Sequence, residues 1–180
     1  MQIAITTSVL LVGRMGSSLR YELGVFGEGA SRATQLATCT NHYFPVTSTL
    51  LVDQATFDAC SKDDDVLVWR ELDSLTLPHA AVPMCIYHLL AKDQRKVPLN
   101  LQRALLVYAD ALKMYKAGEW AQAMPHFRQA HALSAQREPE RHGATPSPDT
   151  AAEVMVQRCK ALLVSPPTVW NGSYCVSNLY

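Results

Sequence analysis

Val9–Leu36 reads VLLVGRMGSSLRYELGVFGEGASRATQL: two apolar runs parted by a Gly/Ser cluster, then glycines at 24, 27 and 29. The glycines lead into what reads as a helix, where free backbone N–H groups and the helix dipole can cradle an anion. As a phosphate loop the pattern is weak by itself, because no Walker lysine follows and the G-x-G-x-x-G spacing is not met. The flanking residues decide the reading. Ile3–Val12 (IAITTSVLLV) is rich in β-branched side chains and predicts a strand buried on both faces. Gly13–Ser18 supplies turn residues and Leu19–Gly27 resumes an extended pattern, so the pair reads as a β-hairpin. From Glu28 on, Ala30, Ala33, Thr34 and Ala37 recur at helical spacing and predict a small-residue face that packs on a sheet.

Downstream, Thr47–Asp53 reads as a strand, 54–60 as a short helix, and VLVWREL (66–72) and MCIYHLL (84–90) as two more strands joined by a Pro78/Pro83 loop. That order predicts an α/β sheet domain over residues 1–92. The pattern then changes period. Leu101, Ala104, Leu105, Tyr108, Ala111, Leu112 and Tyr115 form one helical stripe, Gly118 breaks it, and Trp120, Ala123, Met124, Phe127 and Ala130 form another. Residues 93–133 are therefore expected to be an αα-hairpin, with Pro125 removing one backbone bond from its second helix. Residues 134–147 are polar and predict a flexible linker. Residues 148–180 predict a last helix, from Pro148 to Val164, and a tail.

Composition narrows the function classes. The 180 residues are 48% hydrophobic and 18% charged, enough for a sizeable core. Sixteen basic and sixteen acidic residues cancel, so no global field draws in nucleic acid or anionic lipid. Five cysteines without a C-x-x-C argue against a disulfide framework or a structural zinc, and for buried thiols in a reducing compartment. No signal peptide or membrane-length run stands out, which predicts a cytoplasmic chain without membrane contact, its sequon at Asn171 incidental. Asp63–Asp65 reads as a solvated loop, His126 and His131 do not share a helical face, and His79 and His88 lack ligand partners. Neither a metal site nor a cofactor is expected.

In context the opening stretch resembles the C-terminal half of the class III adenylyl/guanylyl cyclase domain. Members run strand, G-N-x-G-S, strand, then Y-T-V-I-G-D-x-V-N-x-A-A-R-L, and Gly13, Met15–Ser17, Val25, Gly27, Ala33 and Leu36 stand at matching places. LLVDQATFDAC is similar to the following strand and helix, and RELDSLTLPHAAVPMCIYHLL to the closing strands. The match spans residues 3–90. The tail resembles the helical appendage of many such cyclases, and Gly118–Ala130 also fits half of a tetratricopeptide repeat, though one repeat is too few for a solenoid. The resemblance implies a partial ferredoxin-like cyclase sheet, then the αα-hairpin and the C-terminal helix.

It also implies what chemistry is missing. The family's metal-binding aspartates and purine-reading lysine lie in the N-terminal half, which this chain does not contain. Gly24 stands where a side chain would read the purine, Ser31 where an asparagine orients the ribose, and Gln35 where an arginine stabilises the transferring phosphorus. Arg32 lies three positions from Gln35, on another side of the helix. Without these groups no catalytic apparatus remains, and little is left to hold a nucleotide. Since cyclase domains work as face-to-face pairs, the resemblance implies a catalytically degenerate copy kept for protein pairing, as a homodimer or within a larger assembly, a ciliary or flagellar one among them. Two alternatives are the regulatory half of a heterodimeric cyclase and a nucleotide-sensing pseudo-site. An obligate contact is expected at the Ile3–Val12 edge, with Ile3, Ile5 and Val9 as interaction residues. Trp120, Phe127 and Trp170 are expected to dock the tail on the sheet.

Overall fold

A computed structural model describes residues 2–45, 49–61, 66–77, 82–135 and 149–175. The fold is mixed α/β. Its main sheet has the order β1-β4-β6-β5-β7, built from β1 (Gln2–Ile5), β4 (Thr49–Asp53), β6 (Met84–Ala91), β5 (Val68–Thr76) and β7 (Tyr174–Cys175). β1 runs parallel to β4, β4 and β5 run antiparallel to β6, and β7 runs parallel to β5. A separate two-stranded ribbon, β2 (Leu11–Gly16) with β3 (Tyr21–Phe26), follows β1. The helices are α1 (Glu28–Tyr43), α2 (Gln54–Ser61), α3 (Leu99–Lys116), α4 (Trp120–Ala135) and α5 (Thr150–Val164). No helix among the described residues is long and apolar enough to cross a membrane.

Two sequence expectations need correction at the N-terminus. Ile3–Val12 is not one buried strand: β1 stops at Ile5, and β2 begins at Leu11 in the exposed ribbon. The break is held by polar bonds that a continuous strand could not make. Thr6 Oγ1 donates to the Gly29 carbonyl (3.0 Å), Thr7 N–H donates to Asp53 Oδ1 (3.3 Å), and the Thr7 and Thr56 hydroxyls bond at 2.8 Å. Nor is the small-residue stripe the centre of the packed face of α1. Gly29, Leu36, Cys39, Thr40 and Tyr43 are buried, while Ala30, Ala33 and Ala37 are half-buried at its flank and Thr34 is exposed. Larger side chains remove more apolar surface from water and so set the rotation of the helix.

The αα-hairpin forms as its periodicity predicts, with Tyr108, Ala111, Leu112 and Tyr115 of α3 and Ala123, Phe127 and Ala130 of α4 buried. Pro125 lies inside α4 without ending it. α4 runs to Ala135, two residues into the expected linker, and the rest of that linker lies outside the described residues. α5 begins one residue past Asp149, whose side chain caps it by accepting from Ala152 N–H. One continuous apolar core joins α1, the sheet and α3–α5, from Leu36 and Leu51 through Leu72 and Ile86 to Phe127 and Met155. On the opposite sheet face, Phe57 of α2 stacks on Tyr87 (4.0 Å between centroids) and meets Trp69 edge-on.

Two buried ion pairs cross this core. Arg158 of α5 donates to Asp73 of β5 and, at 2.9 Å, to the Tyr43 hydroxyl of α1, and Tyr43 in turn donates to Asp73. Asp73 also accepts from Ser74 N–H (2.7 Å). The Arg158 guanidinium lies 3.9 Å from the Tyr174 ring centroid, so β7 joins the cluster. Arg70 donates to Asp149 at the start of α5 and to His88 Nδ1 (3.3 Å), and lies over the Tyr108 ring. Burial, with Arg70 adding to it, pushes the His88 pKa down to about 3 and keeps the ring neutral beside that cation.

Removing one member of a buried pair strands the other charge and costs about 3–5 kcal/mol, whereas replacing both with apolar groups is often near neutral. Asp73→Ala is therefore expected to lose stability of that order, and Asp73→Leu combined with Arg158→Met much less. Urea unfolding of the two variants checks this; a double variant as unstable as the single one contradicts it.

Candidate functional site

The feature that stands apart from the core is the β2–β3 ribbon. Its antiparallel register sets Leu11 opposite Phe26, Gly13 opposite Gly24 and Met15 opposite Glu22 on one face. Val12/Val25, Arg14/Leu23 and Gly16/Tyr21 share the other, since side chains alternate along a strand. All ten large apolar side chains from Val9 to Phe26 are exposed: Val9 by 93%, Leu23 by 74% and Phe26, the least, by 38%. Arg14 covers the Tyr21 ring (4.7 Å to its centroid) without burying it.

The hairpin expected here is present, but its turn is displaced. Gly13–Gly16 belongs to β2, and the reversal falls at Ser17–Arg20, where Ser17 N–H donates to the Arg20 carbonyl (2.8 Å). Ser17 Oγ also accepts from Leu19 and Arg20 N–H, both at 3.3 Å. Gly16 enters this turn at φ 135°, in a region that side chains disfavour, and a Cβ there would lie 2.2 Å from the Arg20 carbonyl oxygen. Gly24 differs: the Phe26 ring fills the space its Cβ would take.

The three positions that the family resemblance singled out lie on two elements. Gly24 sits in the ribbon under Phe26, Ser31 is exposed on α1, and Gln35 is half-buried one turn further on. The cation nearest Gln35 in sequence, Arg32, pairs with Glu28 at 2.5 Å. Of the residues expected to make contacts, Ile3 is half-buried in β1, while Ile5 and Val9 are exposed. Phe127 lies in the core between Tyr108 and Tyr115. Trp120 and Trp170 meet edge-on, and Trp170 N–H donates to the Lys116 carbonyl (3.0 Å). These three aromatic side chains thus pack within the chain itself.

A cavity of about 350 Å³ lies between Arg32 of α1, Asp53–Asp58 and Met84–Cys85. Its polar side chains already have partners. Asp53 caps α2 by accepting from Thr56 N–H (3.0 Å) and hydroxyl (2.6 Å), and Gln54 bonds both Asp58 and Tyr87. Asp63–Asp65 and His79 lie outside the described residues. His126 and His131 bond separate carbonyls, those of Gln122 and Asp149. Among the described residues no three His, Cys, Asp or Glu side chains gather as a metal set. Burial raises the Cys39 thiol to about 11 and the Cys159 thiol to about 12, so neither is a ready nucleophile.

No family model matches the chain, and no curated protein does. Among solved structures it is similar to the crystal structure of the adenylyl cyclase CyaB from P. aeruginosa, at 18% identity and a TM-score of 0.40. The match covers 52% of this chain and 43% of that one, so the chain spans less than half of that structure's length.

The two ribbon glycines are expected to respond differently to substitution. Gly16→Ala must move backbone and forces φ, a strain of about 1–3 kcal/mol, whereas Gly24→Ala has only to swing the Phe26 ring. Amide exchange across Leu11–Phe26 should quicken in Gly16→Ala and change little in Gly24→Ala, with the melting temperature of the core unmoved in both. Equal effects from the two variants would contradict this account of the turn.

Proposed function

We propose that the chain is a non-catalytic, cyclase-like interaction module that offers the β2–β3 ribbon and the outer edge of β1 to another protein. The carrying observation is the exposure of seven large apolar side chains over both faces of a two-stranded ribbon, with Val9, Leu10 and Leu19 exposed beside them. Such a ribbon is marginal by itself in water, and an apolar surface of this kind marks a docking site. The edge of β1 adds to it, because no described strand pairs its outer side and Ile5 there is exposed.

The non-catalytic half of the proposal rests on the resemblance over residues 3–90 together with the side chains at its three positions. Gly24 lends only backbone under an aromatic ring, Ser31 is short, and Gln35 is neutral. Losing a single preorganised charge donor typically slows such chemistry by ~10²–10³. The five cysteines are all free thiols, which suits a larger intracellular assembly as the setting.

Two measurements test the two halves. Incubation of the full chain with ATP or GTP and Mn²⁺, read by mass spectrometry, should yield no cyclic nucleotide above a buffer control; product would overturn the non-catalytic reading. For docking, the wild-type chain and a Leu23→Asp/Val25→Asp variant serve as paired baits in the source cell. The variant should lose the bound proteins that the wild type retains, and identical captures would overturn docking through the ribbon.

A further inference from the structure

Asn171–Gly172–Ser173 is a short strap tied to the core at both ends. Before it, Trp170 N–H donates to the Lys116 carbonyl at the end of α3 (3.0 Å). After it, Tyr174 pairs with Leu75 of β5 and lies against the Arg158 guanidinium. We propose that Asn171 is a site of spontaneous covalent modification: its side-chain amide closes onto the Gly172 nitrogen and is then hydrolysed to aspartate or isoaspartate.

The electrophile is primed. Asn171 Oδ1 accepts from Ser173 N–H (3.1 Å) and from the Ser173 hydroxyl (2.7 Å). Negative charge grows on that oxygen when a nucleophile adds to Cγ, so the two donors stand as an oxyanion hole does. Because Ser173 spends its proton on Asn171, the Thr76 hydroxyl donates to Ser173 (2.6 Å), and such chains of bonds strengthen one another. Ser173 is buried, which keeps water from competing for Oδ1 on that side.

The nucleophile is free. Gly172 N–H has no acceptor among the described residues, and a glycine puts no side chain in the way of ring closure. Its φ of 80° and the closeness of the Lys116 carbonyl, 3.2 Å from where a Cβ would lie, both favour glycine there. Asn171 itself is exposed, so hydroxide and water reach the reacting atoms. Fixing the amide in one orientation also spares the entropy that a loose side chain gives up before it can react.

The reaction consumes one water and changes no oxidation state. Gly172 N loses its proton to hydroxide as it bonds to Asn171 Cγ. The Cγ–Nδ2 bond breaks, and Nδ2 takes a proton from water and leaves as ammonia. Water then opens the five-membered imide. Attack at Cγ gives aspartate, whose carboxylate still accepts both Ser173 bonds. Attack at the main-chain carbonyl gives isoaspartate, which routes the backbone through the side chain and lengthens it by one carbon–carbon bond, about 1.5 Å. The longer strap loosens the pairing of β7 with β5.

Peptide mass mapping of the full chain aged at neutral pH tests this. Asn171 should convert while Asn41 and Asn100 stay amides, and several-fold faster than in the same chain unfolded in urea. Ser173→Ala, its fold checked by circular dichroism, should slow conversion about tenfold, the size of one hydrogen bond. Amides of Ser173–Cys175 should exchange faster in the isoaspartate product and at the wild-type rate in Asn171→Asp. Conversion no faster than at Asn41, slower in the folded chain than in the unfolded one, or undiminished in Ser173→Ala overturns the inference. Where Ser173→Ala does not fold, the comparison of folded and unfolded wild type decides.

Discussion

Arg158 is a buried cation on the inner side of α5, and a carboxylate reaches it only because β5 carries an extra residue. Across β5 and β6, Glu71 pairs with Tyr87 and Asp73 with Ile86, so Leu72 is the bulged residue. Strict alternation from Arg70 through Leu72 would turn residue 73 to the α2 side of the sheet. The bulge shifts the phase by one, and Asp73 joins Arg70 and Leu72 on the side covered by α1, α3 and α5. There it meets Tyr43 and Arg158, and the Leu72 carbonyl accepts from the Tyr108 hydroxyl (2.8 Å). A charge buried in this way is tolerable only while fully partnered.

This one cluster makes the tail part of the sheet's core. Tyr43 stands on α1, Asp73 on β5, Arg158 on α5 and Tyr174 on β7, so four elements separated widely in sequence share one set of polar contacts. Arg70, His88 and Asp149 make a second tie where α5 begins. The ribbon has no such tie. It is linked to the core through the Thr6–Leu10 segment and the start of α1, where threonine hydroxyls and Asp53 hold its base. A firm base with an uncovered apolar arm is the arrangement expected of a surface that meets a partner.

Much of the helical part was legible in the sequence, because the stripes on α3 and α4 alternate large apolar and exposed polar side chains at a clean helical period. The strands around Val68 and Met84 were legible as two short apolar runs on either side of the Pro78/Pro83 loop. The failures share a cause: tertiary partners overrode local pattern. Ile3–Val12 looks like one strand by composition, yet Thr6 and Thr7 gain bonds to Gly29, Asp53 and Thr56 only by breaking it. The small residues of α1 suggest a packing face, but Leu36 and Tyr43 had more apolar surface to hide. Nothing local announces that Arg158 and Asp73 are buried, or that β5 bulges at Leu72. Of the candidate site, the hairpin itself was foreseen. Its exposure was not, since apolar strands ordinarily imply a covered face.

Segment-resolved native-state hydrogen exchange tests the central claim most directly: sheet and helices form one cooperative unit that holds out an uncovered ribbon. The account predicts that β4–β6, α3 and α5 open with a common free energy. It also predicts that the Leu11–Phe26 amides of the isolated chain exchange far faster than those of the core. Helices α3–α5 opening well before the sheet, or a ribbon as protected as the core, would contradict it.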